Sequence, residues 1–504
     1  MEIDLAQLDS SATGSDLLRV PICIIGGGIA GLTLAYKLVT LGHEILLLEA
    51  GGHTPAAFSP IQQAGHPHPG TSEPRPRAFG GTSTTWGGQL LPFPSDNHDW
   101  PISSADLAPF TTDAEQLLAV DSLPYDAAGF FTQLHQPAPV LLNQLPQIDA
   151  SLSKFAPFSH RNLAQTLGDK LRAHSKARII LHAQVTELIL APSRDSIEAV
   201  LVRTPSGQTH RIAADHTILA AGTIETVRLL LVSGIGGDQV GRNFHDHLTI
   251  TAATLREPAR SQLLAALRSW IYRNTLHSLK ISASPDLQRD LNLTPILAHF
   301  TIDEPDDSGV GVLRSLLRAR QRGNFASALR ESLPRLPSAL SDATRLAASA
   351  RLQRRRYVSP QAAVQLRLNA AQRAPSASRI TLSPDLQPVL DWRIDPTELT
   401  TLRNFAQHLR THLNLDGLDW NPSLFTLDPA APISGLDDAR HAMGGATMGT
   451  NPRTSAVDAN LRVHDLRNLF IASAAVFPDG SPQLPTLPLM ALTLRLAQHL
   501  HEQH

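Results

Sequence analysis

The stretch from Val20 to Gly52, VPICIIGGGIAGLTLAYKLVTLGHEILLLEAGG, predicts the fold of the N-terminal part of the chain. An apolar run that ends at Ile25 is typical of a buried strand, helical spacing follows, and Ile45–Leu48 returns to a strand. Three glycines between the first strand and the helix form the pattern G-x-G-x-x-G: Gly26, Gly28 and Gly31. Gly26 allows a tight turn, Gly28 allows the backbone to approach a pyrophosphate, and Gly31 allows the helix to pack closely. Glu49 follows the second strand, where a carboxylate can bind a ribose, so the stretch predicts a dinucleotide site.

Length, charge and cysteine content limit the class of protein. The 504 residues exceed the size at which one core stops growing, so we expect two or more domains. A formal net charge of -2 disfavours nucleic acid as a partner. The single cysteine, Cys23, excludes an internal disulfide and a cysteine-rich metal site, and we expect a cytoplasmic protein. The N-terminus has no positive charge before Arg19 and no uninterrupted apolar core, so we expect no signal peptide, and no apolar stretch predicts a transmembrane segment.

Two further stretches suggest close backbone approach to a cofactor. RPRAFGGTSTTWGGQLLPF, from Arg75 to Phe93, offers backbone N–H groups and hydroxyls to a phosphate or a flat ring, although an ordinary glycine loop fits equally well. A buried strand, HTILA, runs from His216 into Ala221 and Gly222, which is typical of a second approach to a flavin dinucleotide. Since no second G-x-G-x-x-G follows a strand, a separate nicotinamide domain is not expected and FAD is the preferred dinucleotide.

Two histidine pairs lie outside these stretches. His66 and His68 fall in a proline- and glycine-rich segment at 53–76, interpreted as a surface loop or an active-site lid. His245 and His247 form an H-x-H pair, for which we favour a structural role. Two ring nitrogens without a third ligand bind metal weakly, so no metal site is expected.

The middle of the chain is rich in arginine. Eleven arginines lie between Arg314 and Arg356, with Glu331 and Asp342 as the only acids. A solvated helical arm is the simplest interpretation. A basic amphipathic segment can also cap a substrate channel or touch an anionic membrane surface, so peripheral membrane contact stays open.

Over most of its length the chain resembles the glucose–methanol–choline (GMC) oxidoreductases. The motifs that carry the resemblance are the glycine unit with Glu49, RAFGGTSTTWGG from Arg77, DNHDWP ending at Pro101, AAGTIETVRLLLVSGIG from Ala220, VGRNFHDH from Val240 and HAMGGATMG from His441. The loop GGTSTTW is similar to that of sugar-oxidising members such as pyranose oxidase.

The resemblance implies an α/β fold, α+β overall. A Rossmann-like FAD-binding domain would be built from both chain ends, with an inserted sheet-and-helix substrate domain. The implied FAD-binding domain takes residues 15–110, 160–255 and 436–504, and the substrate-binding domain takes residues 111–159 and 256–435, with the basic insertion near 313–357.

The resemblance also implies site residues. The expected FAD contacts are Gly26, Gly28, Ala30, Gly31, Glu49, Ala50, Arg77, Gly81, Thr82, Ser83, Trp86, Gly87, Val185, Ala221, Gly222, Glu225, Ser473, Ala474, Pro485 and Thr486. His441 opens H-x-x-G-x-x-x-M-G and is the expected general base, because a neutral imidazole titrates near the working pH.

The sequence departs from the family pattern at four positions. Thr85 stands where sugar-oxidising relatives tether flavin through a histidine, so we expect non-covalent FAD. Leu484 replaces the second catalytic histidine or asparagine; Gln483 could substitute, another residue could act, or the chemistry could differ. Ser473 and Ala371 replace an aspartate and a glutamate found in relatives.

Together these observations predict an FAD-dependent oxidoreductase that converts a CH–OH group to a carbonyl, with hydride passing to flavin N5. A sugar, glycoside or polyol is the expected substrate, and oxygen, a quinone or a redox protein the expected electron acceptor. Oxidation of a lipophilic alcohol, a lyase or isomerase reaction, and a non-catalytic flavin-binding partner are the alternatives.

Overall fold

The structure is a computed structural model that describes residues 1–7, 18–57, 61–72, 75–93, 100–321, 325–373, 375–413, 415–426, 428 and 431–503. In chain order the strands are β1 (Glu2–Asp4), β2 (Leu18–Ile25), β3 (Ile45–Leu48), β4 (Ala56–Ala57), β5 (Gln62–Gln63), β6 (Pro76–Arg77), β7 (Gln89–Leu90), β8 (Ile148–Phe155), β9 (Ala177–Leu181), β10 (Gln184–Leu190), β11 (Ile197–Arg203), β12 (Thr209–Leu219), β13 (His247–Leu255), β14 (Trp270–Tyr272), β15 (Thr275–Ala283), β16 (Ile296–Asp303), β17 (Ala363–Ala371), β18 (Arg379–Leu382), β19 (Pro388–Asp391), β20 (Leu418–Trp420), β21 (Asp437–Asp438) and β22 (Leu469–Ile471).

The helices lie between these strands and at the C-terminal end. They are α1 (Ile29–Thr40), α2 (Pro69–Ser72), α3 (Ser104–Leu117), α4 (Ala127–Gln133), α5 (Val140–Gln144), α6 (Phe158–Arg161), α7 (Leu163–Ala173), α8 (Thr223–Val232), α9 (Ala259–Leu267), α10 (Pro285–Asp290), α11 (Gly309–Gln321), α12 (Phe325–Ser332), α13 (Leu336–Ala348), α14 (Pro396–His412) and α15 (Thr486–Glu502). None of the described helices is long and apolar enough to cross a membrane.

The first sheet combines parallel strands from both ends of the chain. Its order is β1-β9-β3-β2-β12-β11-β10, and β22 pairs with the end of β12. The first five strands of this order and β22 run parallel, whereas β11 is antiparallel to both of its neighbours, β12 and β10. Helix α1 packs against α7 and the C-terminal helix α15, so the two chain ends share one layer. This confirms the predicted Rossmann-like arrangement.

The second sheet is antiparallel and contains a polar face. Its order is β20-β13-β17-β16-β15-β8-β7, with β14 beside β15 and β21 beside β13. Strand β17 shows the alternation clearly, since Val364, Leu366 and Leu368 are buried while the side chains between them are half-buried and polar. One face therefore packs on a hydrophobic core and the other presents hydrogen-bonding groups.

Two elements differ from the sequence prediction. The alternating stretch 177–190 predicts one strand, but β9 and β10 are separate because the chain turns at His182, whose φ is 53°. There the backbone N–H of Ala183 donates to the carbonyl of Glu49, which fixes the turn beside the dinucleotide site. The short strand β1 was not predicted, and its three residues pair with β9.

The arginine-rich segment is helical, as its spacing predicts. It forms α11, α12 and α13 and ends in a π-helical turn, Ser349–Gln353. Residues 322–324 within it lie outside the described residues. The domain boundaries stay a prediction, and residues 15–17 at the first of them are likewise not described.

Replacing Gly31 with alanine should strongly destabilise the protein. The added Cβ would lie 1.8 Å from the carbonyl oxygen of Gly26, so the strand-to-helix turn would have to open. We expect the free energy of unfolding to fall by about 3 kcal/mol or more, measured by urea denaturation of the flavin-free protein. The control is Gly28→Ala, whose Cβ would meet only the Cα of Gly81, at 4.0 Å. Equal losses in both variants would contradict this packing argument.

Candidate active site

Two glycine segments meet at the carboxyl edge of the first sheet. The backbone N–H of Gly80 donates to the carbonyl oxygen of Gly27 at 2.8 Å. A Cβ added to Gly81, whose φ is 51°, would lie 2.9 Å from the Cα of Gly28, so position 81 needs glycine for this approach. The loop from Arg77 is therefore packed directly against the predicted dinucleotide turn.

The surface of this junction has the shape and polarity that FAD requires. Helix α1 begins after Gly28 without a side-chain cap, so its first N–H groups can face a pyrophosphate. A Cβ added to Gly87 or Gly222 would meet no atom within 4 Å, so both glycines border open space. The backbone carbonyl of Ala220 lies against Gly26, which places the second predicted approach beside the first. These residues fit the cofactor.

Glu49 lies at the same edge and is held by the backbone. Its two carboxylate oxygens accept hydrogen bonds from the N–H groups of Gly27 and Gly51, each at 2.7 Å. Burial raises the pKa of Glu49, opposed by these hydrogen bonds and by the charge of Arg77. Because each carboxylate oxygen can accept two hydrogen bonds, capacity remains for a ribose diol.

The other predicted cofactor residues are distributed around this edge, and some already have internal partners. The Ser83 hydroxyl donates to the carbonyl of Gly80 and accepts from the N–H of Leu163, and the Trp86 indole N–H donates to a backbone carbonyl. Glu225 is paired with Arg228. The remaining positions are Val185 on β10, Ala50 and Thr82 near the two glycine turns, Ala30 in α1, Ala221 before α8, Ser473 and Ala474 after β22, and Pro485 and Thr486 at the start of α15.

His441 lies on a loop fixed to both sheets. Thr223, at the start of α8, donates its hydroxyl to the carbonyl of Ala442 at 2.6 Å. Met443 and His245, which leads into β13, exchange two backbone hydrogen bonds. The loop is thus tied to the FAD-binding edge and to the second sheet at once.

The ring of His441 meets a second histidine. Its Nδ1 lies 3.2 Å from Nδ1 of His247, and the two rings are edge to face with centroids 5.1 Å apart. His247 opens β13 and is fully buried, and its partner across the ladder is Ala371. The replacement of the family glutamate by Ala371 therefore leaves only a methyl group opposite His247.

Asp246 joins this pair to a third histidine. Its carboxylate accepts from the backbone N–H groups of His441, at 2.7 Å, and His247, at 2.6 Å. Nε2 of His68 lies 3.2 Å from the same carboxylate, and both side chains are buried. The structure thus gathers His68, Asp246, His247 and His441 into one cluster.

Electrostatics assigns different charge states to the members of this cluster. Burial would raise the pKa of Asp246, but the hydrogen bond and charge of His68 hold it below its usual value. The carboxylates of Asp246 and Asp438 overcome burial and raise the pKa of His68. Burial lowers the pKa of His247 to about 3 and also lowers that of His441. The cluster therefore contains one ion pair and two neutral imidazoles.

The two histidine pairs were only partly interpreted correctly from the sequence. His66 is exposed, as a surface loop predicts, but His68 is 1% exposed and pairs with Asp246. The H-x-H pattern favours a structural role for His247, and the structure adds that its ring contacts His441, the predicted base. The signal available in the sequence was the H-D-H order, which places a carboxylate beside His247. Two groups here that share Asp246 have ligand atoms close enough for a metal ion, and the absence of a metal stays a prediction.

Leu484 and Gln483 lie just before α15. Leu484 is half-buried, and its side chain has no hydrogen-bonding atom. Gln483 is 8% exposed, and within the described part of the chain its Oε1 has no hydrogen-bond partner. An unpaired buried amide oxygen is costly, so Gln483 is available for a ligand. The Trp-Pro motif is described from Trp100, whose indole N–H donates to Asp479; residues 96–99 lie outside the described residues.

Replacing Asp246 with asparagine should destabilise the protein by about 3–5 kcal/mol, because His68 stays buried and loses the nearer of its two carboxylate partners, which leaves only Asp438, at 3.5 Å. The change also turns an amide NH₂ toward backbone N–H donors. The measurement is urea denaturation near neutral pH. The control is the double variant with His68→Gln, which removes the stranded charge and should recover part of the loss. Simple additivity of the two changes would argue against a buried ion pair.

Comparison with known proteins agrees with this geometry. Residues 162–249 and 374–493 match family models described as GMC oxidoreductase, and residues 21–122 match one described as FAD dependent oxidoreductase. The fructose dehydrogenase large subunit of Gluconobacter japonicus is 23% identical over 96% of this chain and 98% of that protein. The gluconate 2-dehydrogenase flavoprotein of Pantoea cypripedii is 28% identical over only 26% of this chain and 21% of that protein.

Solved structures share the fold. The crystal structure of pyridoxine 4-oxidase from Mesorbium loti superposes with a TM-score of 0.62 at 17% identity, covering 96% of this chain and all of that one. The family models, the relatives and the FAD-fitting sheet edge lead to one conclusion. The chain is a member of the glucose–methanol–choline oxidoreductase family and a mixed α/β, FAD-dependent oxidoreductase.

Proposed function

We propose that the protein oxidises a CH–OH group of a sugar, glycoside or polyol to a carbonyl, with His441 as general base. The observation that carries the proposal is the contact between Nδ1 of His441 and Nδ1 of His247, at 3.2 Å. FAD, when bound, supplies the hydride acceptor at its N5. Oxygen, a quinone or a redox protein as final electron acceptor belongs to the same proposal.

The imidazole contact determines which nitrogen of His441 can act as a base. Two Nδ1 atoms at this distance share one proton, because two bare lone pairs would repel each other. When His441 donates from Nδ1, its Nε2 keeps the lone pair and can take a hydroxyl proton. His247 then holds its own proton on Nε2, and the backbone of Ser481 favours a proton on this ring.

The charge state of His441 suits proton abstraction. Burial lowers its pKa below the ordinary value of 6.5, with Lys280 contributing in the same direction and Asp246 opposing. The ring is therefore neutral at pH 7 and can accept a proton as the hydroxyl of the substrate is oxidised. Acid inactivation should follow the protonation of this ring.

Because the second catalytic histidine or asparagine is replaced by Leu484, other groups must hydrogen-bond the reacting hydroxyl and orient His441. Leu484 cannot hydrogen-bond the substrate, but Gln483 beside it is buried and its Oε1 has no partner among the described residues. We therefore keep Gln483 in the proposal as the group that hydrogen-bonds the reacting hydroxyl. The orientation of His441 comes from His247 and Asp246 instead.

The polar face of the second sheet supports a hydroxyl-rich substrate. Thr249 and Asn369 lie on this face and bond each other at 2.8 Å, and Thr251 and Gln365 lie further along it. Such side chains can exchange their mutual bonds for bonds to substrate hydroxyls. The names of two relatives refer to fructose and to gluconate, which are polyhydroxy compounds.

Replacing His441 with glutamine should slow flavin reduction by about 10²–10⁴-fold, because the general base is lost. The measurement is anaerobic flavin absorbance of the holoprotein mixed with sugars, glycosides, polyols and lipophilic alcohols. In the unmodified protein the rate should fall as pH drops, with an apparent pKa below 6.5. If no compound bleaches a flavin that dithionite still reduces, alcohol oxidation is wrong and the lyase or isomerase alternative motivated by Leu484 gains support.

Replacing His247 should act through the tautomer of His441. His247→Leu removes the acceptor for Nδ1–H of His441, so we expect kcat to fall about 10²-fold. His247→Asn offers a carbonyl oxygen to the same N–H and should retain most activity. Nitrogen-15 NMR of histidine-labelled holoprotein reports the tautomer directly and should show protonated Nδ1 in the asparagine variant. Equal activity in both variants, with the tautomer unchanged, would contradict the role of His247.

A further inference from the structure

Three basic side chains form a row across the middle of the second sheet. Lys280 on β15 lies directly opposite His299 on β16, and His299 lies directly opposite Arg367 on β17. Because residues paired across an antiparallel ladder share a face, all three project to the same side. Neighbouring strands are about 4.8 Å apart, so the row spans roughly 10 Å. We call these residues the basic row.

Lys280 of the basic row is buried, whereas His299 and Arg367 are half-buried, and among the described residues neither cation has an acidic partner. Lys280 is 4% exposed, and within the part of the chain that the structure describes neither Lys280 nor Arg367 makes an ion pair or hydrogen bond through its side chain. Nε of Arg367 and Nδ1 of His299 are buried polar atoms without partners. Buried cations are normally paired, because desolvating them alone costs several kcal/mol each.

The acids on the same face of these strands, Asp149 on β8 and Asp303 on β16, make no ion pair with Lys280 or Arg367 in the described part of the chain. The neighbours of the basic row in the same register are Ser151 on β8 and Thr251 on β13. The next position along the same face pairs Thr301 with Gln365, which are also uncharged. The described residues therefore leave Lys280 and Arg367 without a counter-ion, which a bound ligand can supply.

The basic row lies on the same sheet face as His247, the histidine that contacts His441. His247 lies on the same face of β13, four residues from Thr251, the partner of Arg367. That separation is about 13 Å along the strand, and the long side chains of lysine and arginine can shorten it. The charge of Lys280 also lowers the pKa of His441, so the two groups lie near each other.

The charge states within the basic row favour an anion. Burial lowers the pKa of Lys280 to about 7, and burial together with Lys280 and Arg367 lowers the pKa of His299 well below its usual value. The guanidinium of Arg367 can donate two parallel hydrogen bonds to an anion, Lys280 becomes fully charged once an anion pairs with it, and neutral His299 can donate one hydrogen bond. An anionic group would offset the repulsion between the cations of Lys280 and Arg367.

A second group of arginines lies where the arginine-rich helices meet the glycine loop. The backbone carbonyl of Arg161 accepts a hydrogen bond from the indole N–H of Trp86. Burial and the charges of Arg356 and Arg318 lower the pKa of the Arg161 guanidinium. Arg318 belongs to α11, and Arg356 lies near Glu304 at the end of β16. The insertion therefore adds positive charge beside the predicted cofactor loop, which can draw anions toward the site.

We propose that the basic row binds an anionic group of the substrate, a carboxylate or a phosphate, so that the substrate is a sugar acid or sugar phosphate oxidised at a carbinol away from its charge. The inference rests on the proposed function, because it assigns the substrate class of the same site. Arg367 and Lys280 hold the two sides of the anion, and His441 acts on the distant hydroxyl.

The test compares glucose, gluconate and glucose 6-phosphate as probes of the holoprotein. Binding is measured anaerobically by calorimetry, and flavin absorbance is followed in the same samples. We expect gluconate or glucose 6-phosphate to bind at least 10-fold more tightly than glucose, and the preferred probe identifies carboxylate or phosphate. The preference should disappear in Lys280→Met and Arg367→Met and persist in Arg203→Met, the same change at an exposed arginine on β11 of the first sheet. Three results overturn the proposal: equal affinity for all three probes, no detectable binding of gluconate or of glucose 6-phosphate, or a preference for the anionic probe that survives in both variants.

Two further readouts separate the possible failures. If an anionic probe binds through the basic row but no compound in the wider panel bleaches the flavin, the anion site stands and the proposed oxidation fails. Lys280→Met should also raise the midpoint of thermal unfolding, because it removes an unpaired buried ammonium. A lower midpoint would mean that Lys280 is paired and structural, and would overturn the proposal.

Discussion

The buried carboxylate of Asp246 is the interaction on which the arrangement of the site depends. It accepts backbone hydrogen bonds from His441 and His247 and pairs with His68, so three segments that are distant in the chain meet at one side chain. A buried carboxylate is tolerated only when such partners are all in place. The position of His441 is therefore a property of the whole fold, and its loop needs no regular secondary structure of its own.

The two sheets contribute different properties to the site. The first sheet ends in glycine turns, where backbone can approach a flat, charged cofactor. The second sheet presents a polar face that carries the basic row and ends near His247. The loop of His441 is bonded to α8 on one side and to the segment before β13 on the other. Reacting groups are thus held between a rigid cofactor edge and a chemically variable sheet.

The N-terminal unit could be predicted from sequence because its determinants are local. Gly26, Gly28 and Gly31 act on neighbours within one turn, and the structure confirms the strand, helix and strand around them. The pairing of His441 with His247 could not be predicted, because it depends on a tertiary contact between distant loops. The basic row was missed for a similar reason. Lys280 and Arg367 each resemble an ordinary polar residue in an alternating strand, and only the register of three strands aligns them.

Strand β22 and helix α15 have a consequence for biosynthesis. The edge of β12 at Thr217–Leu219 is covered by β22, and α1 packs on α15, yet both covering elements come from the last residues of the chain. As the nascent chain leaves the ribosome, the glycine turns emerge before β22 and α15, so the sheet beside them is incomplete until those elements have been synthesised. Closure of the first sheet is therefore a late step of synthesis, and until it occurs the uncovered strand edge is exposed to chaperones and to aggregation.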